Sequence, residues 1–179
     1  GRGTRPTTDR VREALFSILG DEVVGARVAD FFAGTGALGI EALSRGAQAA
    51  TFFESGSQAR HTLTRNLQAL DLSSVATVVS APLPRGLRGA GPWDLAFMDP
   101  PWEQGWGPRV VKALVEQGAM ASDGLLVVEE RAGQVAQDPA WGGLALQTLD
   151  RRRYGDTELV FLTGFQPPGD SGTRGPSGL

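Results

Sequence analysis

The chain has 179 residues, 41% of them hydrophobic, and a formal net charge of −3, which suits one domain with a core of its own rather than a uniformly basic nucleic-acid binder. It holds no cysteine and one histidine, His61, which excludes disulfides, thiolate metal sites and a Cys nucleophile and leaves no zinc site. No apolar run approaches the ~20 residues that span a bilayer, and no signal peptide opens the chain, so a cytoplasmic protein is expected.

Arginine is unevenly spread. Arg2, Arg5, Arg10 and Arg12 crowd the start, Arg151-Arg152-Arg153 form a run near the end, and Lys112 is the only lysine. Such clusters hold phosphates on some acidic proteins and are solvated surface on others.

Thr7-Thr8-Asp9 offers N-cap oxygens, and Val11, Ala14, Leu15, Ile18 and Leu19 follow at helical spacing, with Gly20 as a stop. Arg27 to Phe32 predicts a buried strand. Gly34-Thr35-Gly36-Ala37-Leu38-Gly39 then matches G-x-G-x-x-G and leads into a helix with Leu38, Ile40, Ala42 and Leu43, ending near Gly46. Ala49 to Phe53 is a second strand ending at Glu54, and Gln58 to Leu70 a helix with Ala59, Leu63, Leu67 and Leu70 on one side. His61 falls in this helix and reads as surface.

Val75 to Val79 is a third strand, and a Pro/Gly-rich connection leads to the fourth, Trp93 to Met98. Val110 to Gln117 reads as a helix and Gly124 to Glu129 as a fifth strand. Leu144 to Leu149 and Glu158 to Thr163 are two more strands, linked by Arg151 to Thr157 without a helix. Residues 1–164 are expected to form one domain and 165–179, poor in apolar residues, a disordered tail. The alternation predicts an α/β fold with a mostly parallel seven-stranded sheet, helices on both faces and an antiparallel C-terminal hairpin.

Two motifs carry chemistry. The glycine turn follows a strand and opens a helix, and Glu54 lies twenty residues past Gly34, placed to accept bonds from ribose hydroxyls. The pattern alone leaves a nicotinamide dinucleotide and S-adenosylmethionine both open. Asp30 favours the second, because an acid there sits badly near a pyrophosphate and well near a cationic amino-acid moiety. It could also anchor the turn.

The second motif is Asp99-Pro100-Pro101-Trp102, directly after the fourth strand. An exocyclic base amine is a poor nucleophile while its lone pair is delocalised. Acceptors for its N–H groups, here Asp99 and the Pro100 carbonyl, favour the pyramidal reactive state. Prolines fix the turn, and Trp102 could stack on the base. Alternatively, Trp102 merely covers the sheet end.

The two motifs, with Arg5 to Phe16, Glu41 to Ala47 and Arg153 to Thr157, make the chain resemble the RsmD family of bacterial small-subunit ribosomal RNA guanine-N2 methyltransferases from about Gly3 to Leu162. The resemblance implies a Rossmann-like class I methyltransferase fold, S-adenosyl-L-methionine as cofactor, and 16S ribosomal RNA or the assembling small subunit as partner of a monomeric enzyme with no membrane contact and no metal. It places Asp99, Pro100, Pro101 and Trp102 around the target guanine. Asp30, Phe32, Gly34, Gly36, Glu54 and Ala81 line the cofactor site, with Thr8 at its rim. Guanine also suits Asp99 physically, since its N1–H and N2–H donors are adjacent.

Two departures are expected to matter. Ser80-Ala81-Pro82 stands where related enzymes often carry an acid that contacts adenine. The chain opens at Gly1 without the basic N-terminal hairpin of the family, which reads as a trimmed start. A DNA adenine or cytosine amino-methyltransferase, and a non-catalytic RNA-binding factor on the same fold, stand as alternative readings.

Overall fold

The computed structural model describes residues 8–101, 105–132, 144 and 146–165 of the 179. Seven strands form one sheet: β1 Arg27–Phe31, β2 Ala49–Phe53, β3 Ala76–Val79, β4 Trp93–Met98, β5 Met120–Arg131, β6 Gln147–Tyr154 and β7 Thr157–Thr163. Four helices accompany them: α1 Asp9–Leu19, α2 Ala37–Ser44, α3 Ser57–Ala69 and α4 Trp106–Glu116. The strand order is β3-β2-β1-β4-β5-β7-β6. β3 through β5 in that order are parallel, and β7 alone runs against the rest, pairing antiparallel with both β5 and β6.

The central strands are near-continuous apolar runs because both faces are covered. Val28, Phe52, Leu95 and Phe97 turn toward α1, α2 and α3, while Ala29, Phe31, Ala96 and Met98 turn toward α4. On the α4 side Phe31, Phe53 and Trp93 pack as a triangle, with ring centroids 5.2 to 5.7 Å apart. Helix α1 begins at an N-cap: Thr8 Oγ1 accepts the Val11 N–H at 3.3 Å.

The expected seven strands, hairpin and two-sided helix cover are all present, with three differences. α4 starts at Trp106 rather than Val110, because Gly107-Pro108 fall in a first turn whose N–H groups need no partner and proline costs little. The stretch expected as the linker 151–157 is mostly strand: β6 continues to Tyr154 and only Gly155-Asp156 make the turn. Most of β6 is solvent-exposed, so no apolar alternation marks it. Finally, Phe165, assigned to the tail, is 3% exposed and packs in the core. The packed domain therefore reaches residue 165, and residues 166–179 lie outside the described region.

Parallel strands bring their carboxyl ends to one rim. β1, β2, β4 and β5 finish there at Phe31, Phe53, Met98 and Arg131, and the antiparallel β7 carries the 155–156 turn back to the same rim. Ligands of open α/β sheets bind at this edge.

Candidate functional site

A cleft of about 620 Å³ opens at that rim, between the glycine turn, the end of β2, the loop after β3 and the loop after β4. It falls in the size range of small-molecule sites.

The glycine turn is built by three different requirements. Phe32, a non-glycine residue at φ 58°, bends the chain out of β1, and Gly34 follows at φ 58°. Gly36 caps α2 at φ 89°, where a side chain would also run into Leu63. Gly39 has an ordinary backbone, but a Cβ there would strike the Phe52 ring and come within 3.1 Å of an Asp30 oxygen. Close packing of α2 on β2 demands that glycine.

Two carboxylates hold this turn. Asp30, 4% exposed at the end of β1, accepts the Gly39 N–H on Oδ2 at 3.0 Å. Glu54 accepts the Gly34 N–H on Oε1 and the Gly56 N–H on Oε2, both at 2.8 Å. Each carboxylate oxygen can accept more than one bond, so Glu54 retains lone pairs for a ligand while clasping the glycine turn to the start of α3.

Asp99 stands on the far side of the cleft, one residue past β4. Burial pushes its carboxyl up to about 8, and the negative charges of Glu129 and Asp30 push the same way. Burial likewise raises Asp30 to about 8, against the opposing Gly39 hydrogen bond, with Glu54 and Glu129 adding to the rise. Among the described residues no cation pairs with either carboxyl. The cleft is lined by three acids, Asp30, Glu54 and Asp99, and by no arginine or lysine among the described residues, which matches it to a cationic ligand.

Pro100 and Pro101 separate into two roles. Pro100 is buried against α4, where the bare Cα of Gly107 admits its ring: a Cβ there would lie 3.3 Å from the Pro100 ring. Pro101 is exposed and lines the cleft with Asp99.

The cleft thus brings together Asp30, Phe32, Gly34, Glu54, Ala81, Asp99 and Pro101 of the predicted set. Gly36 and Pro100 are absent from its lining; Gly36 shapes the turn and the Pro100 ring packs on Gly107. Thr8 is also absent from the lining, and its hydroxyl is engaged in capping α1. Trp102 lies outside the described residues. His61 is exposed on α3, as expected.

Two residues escaped the sequence reading. Glu129, 7% exposed, ends the apolar run of β5 beside Asp99, and an acid after Leu-Leu-Val-Val was the available signal. Trp106 lines the cleft next to Asp99 and Pro101, but flanking glycines hid it inside an apparent loop. Among the described residues no group of acidic or histidine side chains could hold a metal ion, and no helix is long and apolar enough to cross a membrane.

Comparison with known proteins agrees with this geometry. The family model described as Conserved hypothetical protein 95 matches residues 1–163. The chain is 39% identical over 127 residues to Ribosomal RNA small subunit methyltransferase D of Escherichia coli strain K12, covering 71% of this chain and 64% of the relative. The chain therefore spans a little under two thirds of that protein's length. It is 35% identical over 131 residues to the Haemophilus influenzae protein of the same name, covering 71% of this chain and 68% of the relative. A solved conserved hypothetical protein of Streptococcus pyogenes superposes with a TM-score of 0.77 at 26% identity, over 87% of this chain and 98% of its own. Putative methyltransferase yhhF from Escherichia coli superposes with a TM-score of 0.78 at 32% identity, over 88% of this chain and 88% of its own, and with the sheet order this makes the architecture that of a Rossmann-like class I methyltransferase.

Proposed function

Because this chain belongs to the ribosomal RNA small subunit methyltransferase D family, we propose that it transfers a methyl group from S-adenosylmethionine to the exocyclic N2 of a guanine in 16S ribosomal RNA. The observation that carries the reading is the pairing of Asp30 and Asp99 across one cleft: two inward acids with no protein cation beside them among the described residues, one on the glycine turn and one on the Asp-Pro-Pro turn.

S-adenosylmethionine supplies an electrophilic methyl carbon on a positively charged sulfur. Its charge is what the two acids lack, so the residues present fit it. Asp30 favours the amino-acid end, the backbone of Gly34 allows close approach, and the free lone pairs of Glu54 accept the ribose hydroxyls. Ala81, Pro82 and Leu83 give the adenine an apolar edge in place of the acid found in related enzymes.

On the acceptor side, Asp99 takes hydrogen bonds from the guanine amine and draws its lone pair out of conjugation, an interaction strongest in the transition state. The N2–C bond forms as the S–C bond breaks, and the sulfur keeps the electron pair. The methylated amine then releases a proton. Asp99, ionised beside the bound cationic cofactor and held in surroundings that raise its affinity for a proton, is placed to receive it. A ribosomal RNA substrate implies work in the cytoplasm, as a monomer on naked RNA or on the assembling subunit.

The test is to incubate the protein with 16S ribosomal RNA, or small subunits lacking the modification, and S-adenosylmethionine, then analyse the digested nucleosides. N2-methylguanosine is the expected product. Methylated adenine or cytosine from a DNA control instead would move the assignment to DNA. Failure to bind S-adenosylmethionine at millimolar concentration would reduce the chain to a non-catalytic RNA-binding factor.

A further inference from the structure

The glycine turn is held from α3 as well as by Glu54. Asn66 of that helix donates from Nδ2 to the Thr35 carbonyl at 3.2 Å, across 31 residues of chain. Three residues earlier, and hence on the same side of the helix, Leu63 is fully buried and fills the space a side chain at Gly36 would need. α3 therefore meets the turn at two successive residues. Asn66 itself is absent from the cleft lining, whereas Gly34 and Thr35 both belong to it.

The other backbone groups of the turn divide sharply. Ala33 N–H donates to the Phe53 carbonyl at 2.9 Å, Gly34 N–H to Glu54 at 2.8 Å, and Gly36 N–H to the Ala33 carbonyl at 2.9 Å. The peptide between Gly34 and Thr35 stands apart. Neither the Gly34 carbonyl nor the Thr35 N–H has a hydrogen-bond partner among the described residues. It is the one peptide of the turn with both ends open, and it lies at the cleft wall.

We infer that Asn66 is a positioning residue for the methyl donor: Glu54 holds the peptide before Gly34–Thr35, Asn66 holds the peptide after it, and the open peptide between them is thereby presented to the cofactor. The inference rests on the cofactor reading above and assigns it a side chain outside the cleft. Gly34 sits at φ 58°, and a glycine peptide rotates at little steric cost. Restraint on one flank alone leaves that rotation available. Restraint on both flanks removes it before the ligand arrives, and binding is strengthened by the ordering that no longer has to be done. The Asn66–Thr35 bond is itself exposed to solvent, so its loss costs the fold little and falls on the turn's orientation.

The test compares Asn66→Leu with the parent chain. Leucine keeps the reach of the side chain and suits a helix better, but it cannot donate. Calorimetry gives the affinities for S-adenosylmethionine and S-adenosylhomocysteine, thermal melts without ligand report the fold, and initial rates give the KM for cofactor and for RNA separately. Asn66→Leu is expected to weaken both ligands about threefold or more, the scale of one net hydrogen bond, and to raise the KM for S-adenosylmethionine in step. The melting temperature and the KM for RNA should stay close to those of the parent. Parent-like affinity for both ligands in Asn66→Leu would overturn the inference, and so would a lowered melting temperature with unchanged affinity, the mark of a merely structural bond. A parent chain that binds both ligands several-fold tighter than Asn66→Leu yet methylates no RNA would sink the proposed reaction and leave the positioning role standing. A parent chain that binds neither ligand would overturn both.

Discussion

Glu54 and Gly34, twenty residues apart, are joined by a 2.8 Å hydrogen bond from the Gly34 N–H to Glu54 Oε1, while Oε2 holds the N–H of Gly56. One side chain therefore fixes the distance between the glycine turn and the start of α3, which are two walls of the cleft. Charged acceptors of this kind are worth roughly 1.5–3 kcal/mol each before solvent screening.

Glu54→Ala is accordingly expected to lower the melting temperature by several degrees and to weaken S-adenosylmethionine binding at least tenfold. Glu54→Gln keeps only one acceptor oxygen and should fall between the two. Thermal melts with and without cofactor measure both effects. A melting temperature unchanged in Glu54→Ala would remove the clasp from the argument.

Gly39→Ala forces a methyl group against the Phe52 ring and close to the Asp30 carboxylate. Overpacking of this kind costs about 1–3 kcal/mol, and here it also pushes apart the helix and strand that carry the cofactor side. Chemical denaturation should show the loss, and Phe52→Leu, which shortens the obstructing ring, should recover part of it in the double variant.

Asp99→Ala and Asp99→Asn are both expected to cut the rate of transfer by about a hundredfold or more, the scale of losing one acceptor aimed at the transition state. Binding of S-adenosylmethionine should stay within a few-fold of the parent. Single-turnover rates at saturating RNA separate the two effects, and transfer at the parent rate in either variant would strip Asp99 of its role.

Proton linkage gives a fourth expectation. The carboxyls of Asp30 and Asp99 rise from 3.8 to about 8 in the folded protein without cofactor. The folded state then holds more protons than the unfolded chain between those values, so stability falls as pH rises from about 4 to about 8 and levels off above. A cationic ligand favours the ionised carboxyls. Its binding should release protons and strengthen with rising pH up to about 8. S-adenosylhomocysteine, whose sulfur is neutral, should show a shallower dependence. Calorimetry in buffers of different ionisation enthalpy reads the released protons directly, and equal proton release for both ligands would contradict the assignment of the acids to the sulfonium.

Much of this arrangement was legible in the sequence because it rests on local chemistry. The strand before Gly34, the acid at Glu54 and the strand before Asp99 follow from apolar runs that end in turn-forming or acidic residues, and the parallel order follows from the helices between them. Only the extent of β6 escapes the sequence, because its solvent-exposed arginines leave no burial alternation to detect. The motifs name Gly36 and Pro100 but do not show the packing around them: a side chain at Gly36 would meet Leu63, and the Pro100 ring lies against Gly107. Glu129 and Trp106 belong to the cleft through neighbours far off in the chain, and no short pattern encodes that.

The reversal of β7 has an evolutionary corollary. It sends the Gly155-Asp156 bend back to the edge where Asp99 sits, with Ala132 N–H bonded to the Asp156 carbonyl at 2.7 Å. Extra residues inserted in that bend would extend over the Asp99 end of the cleft while leaving the Gly34–Glu54 half undisturbed. On the proposed reading, the scaffold can thus change what it modifies without relearning how to hold its methyl donor.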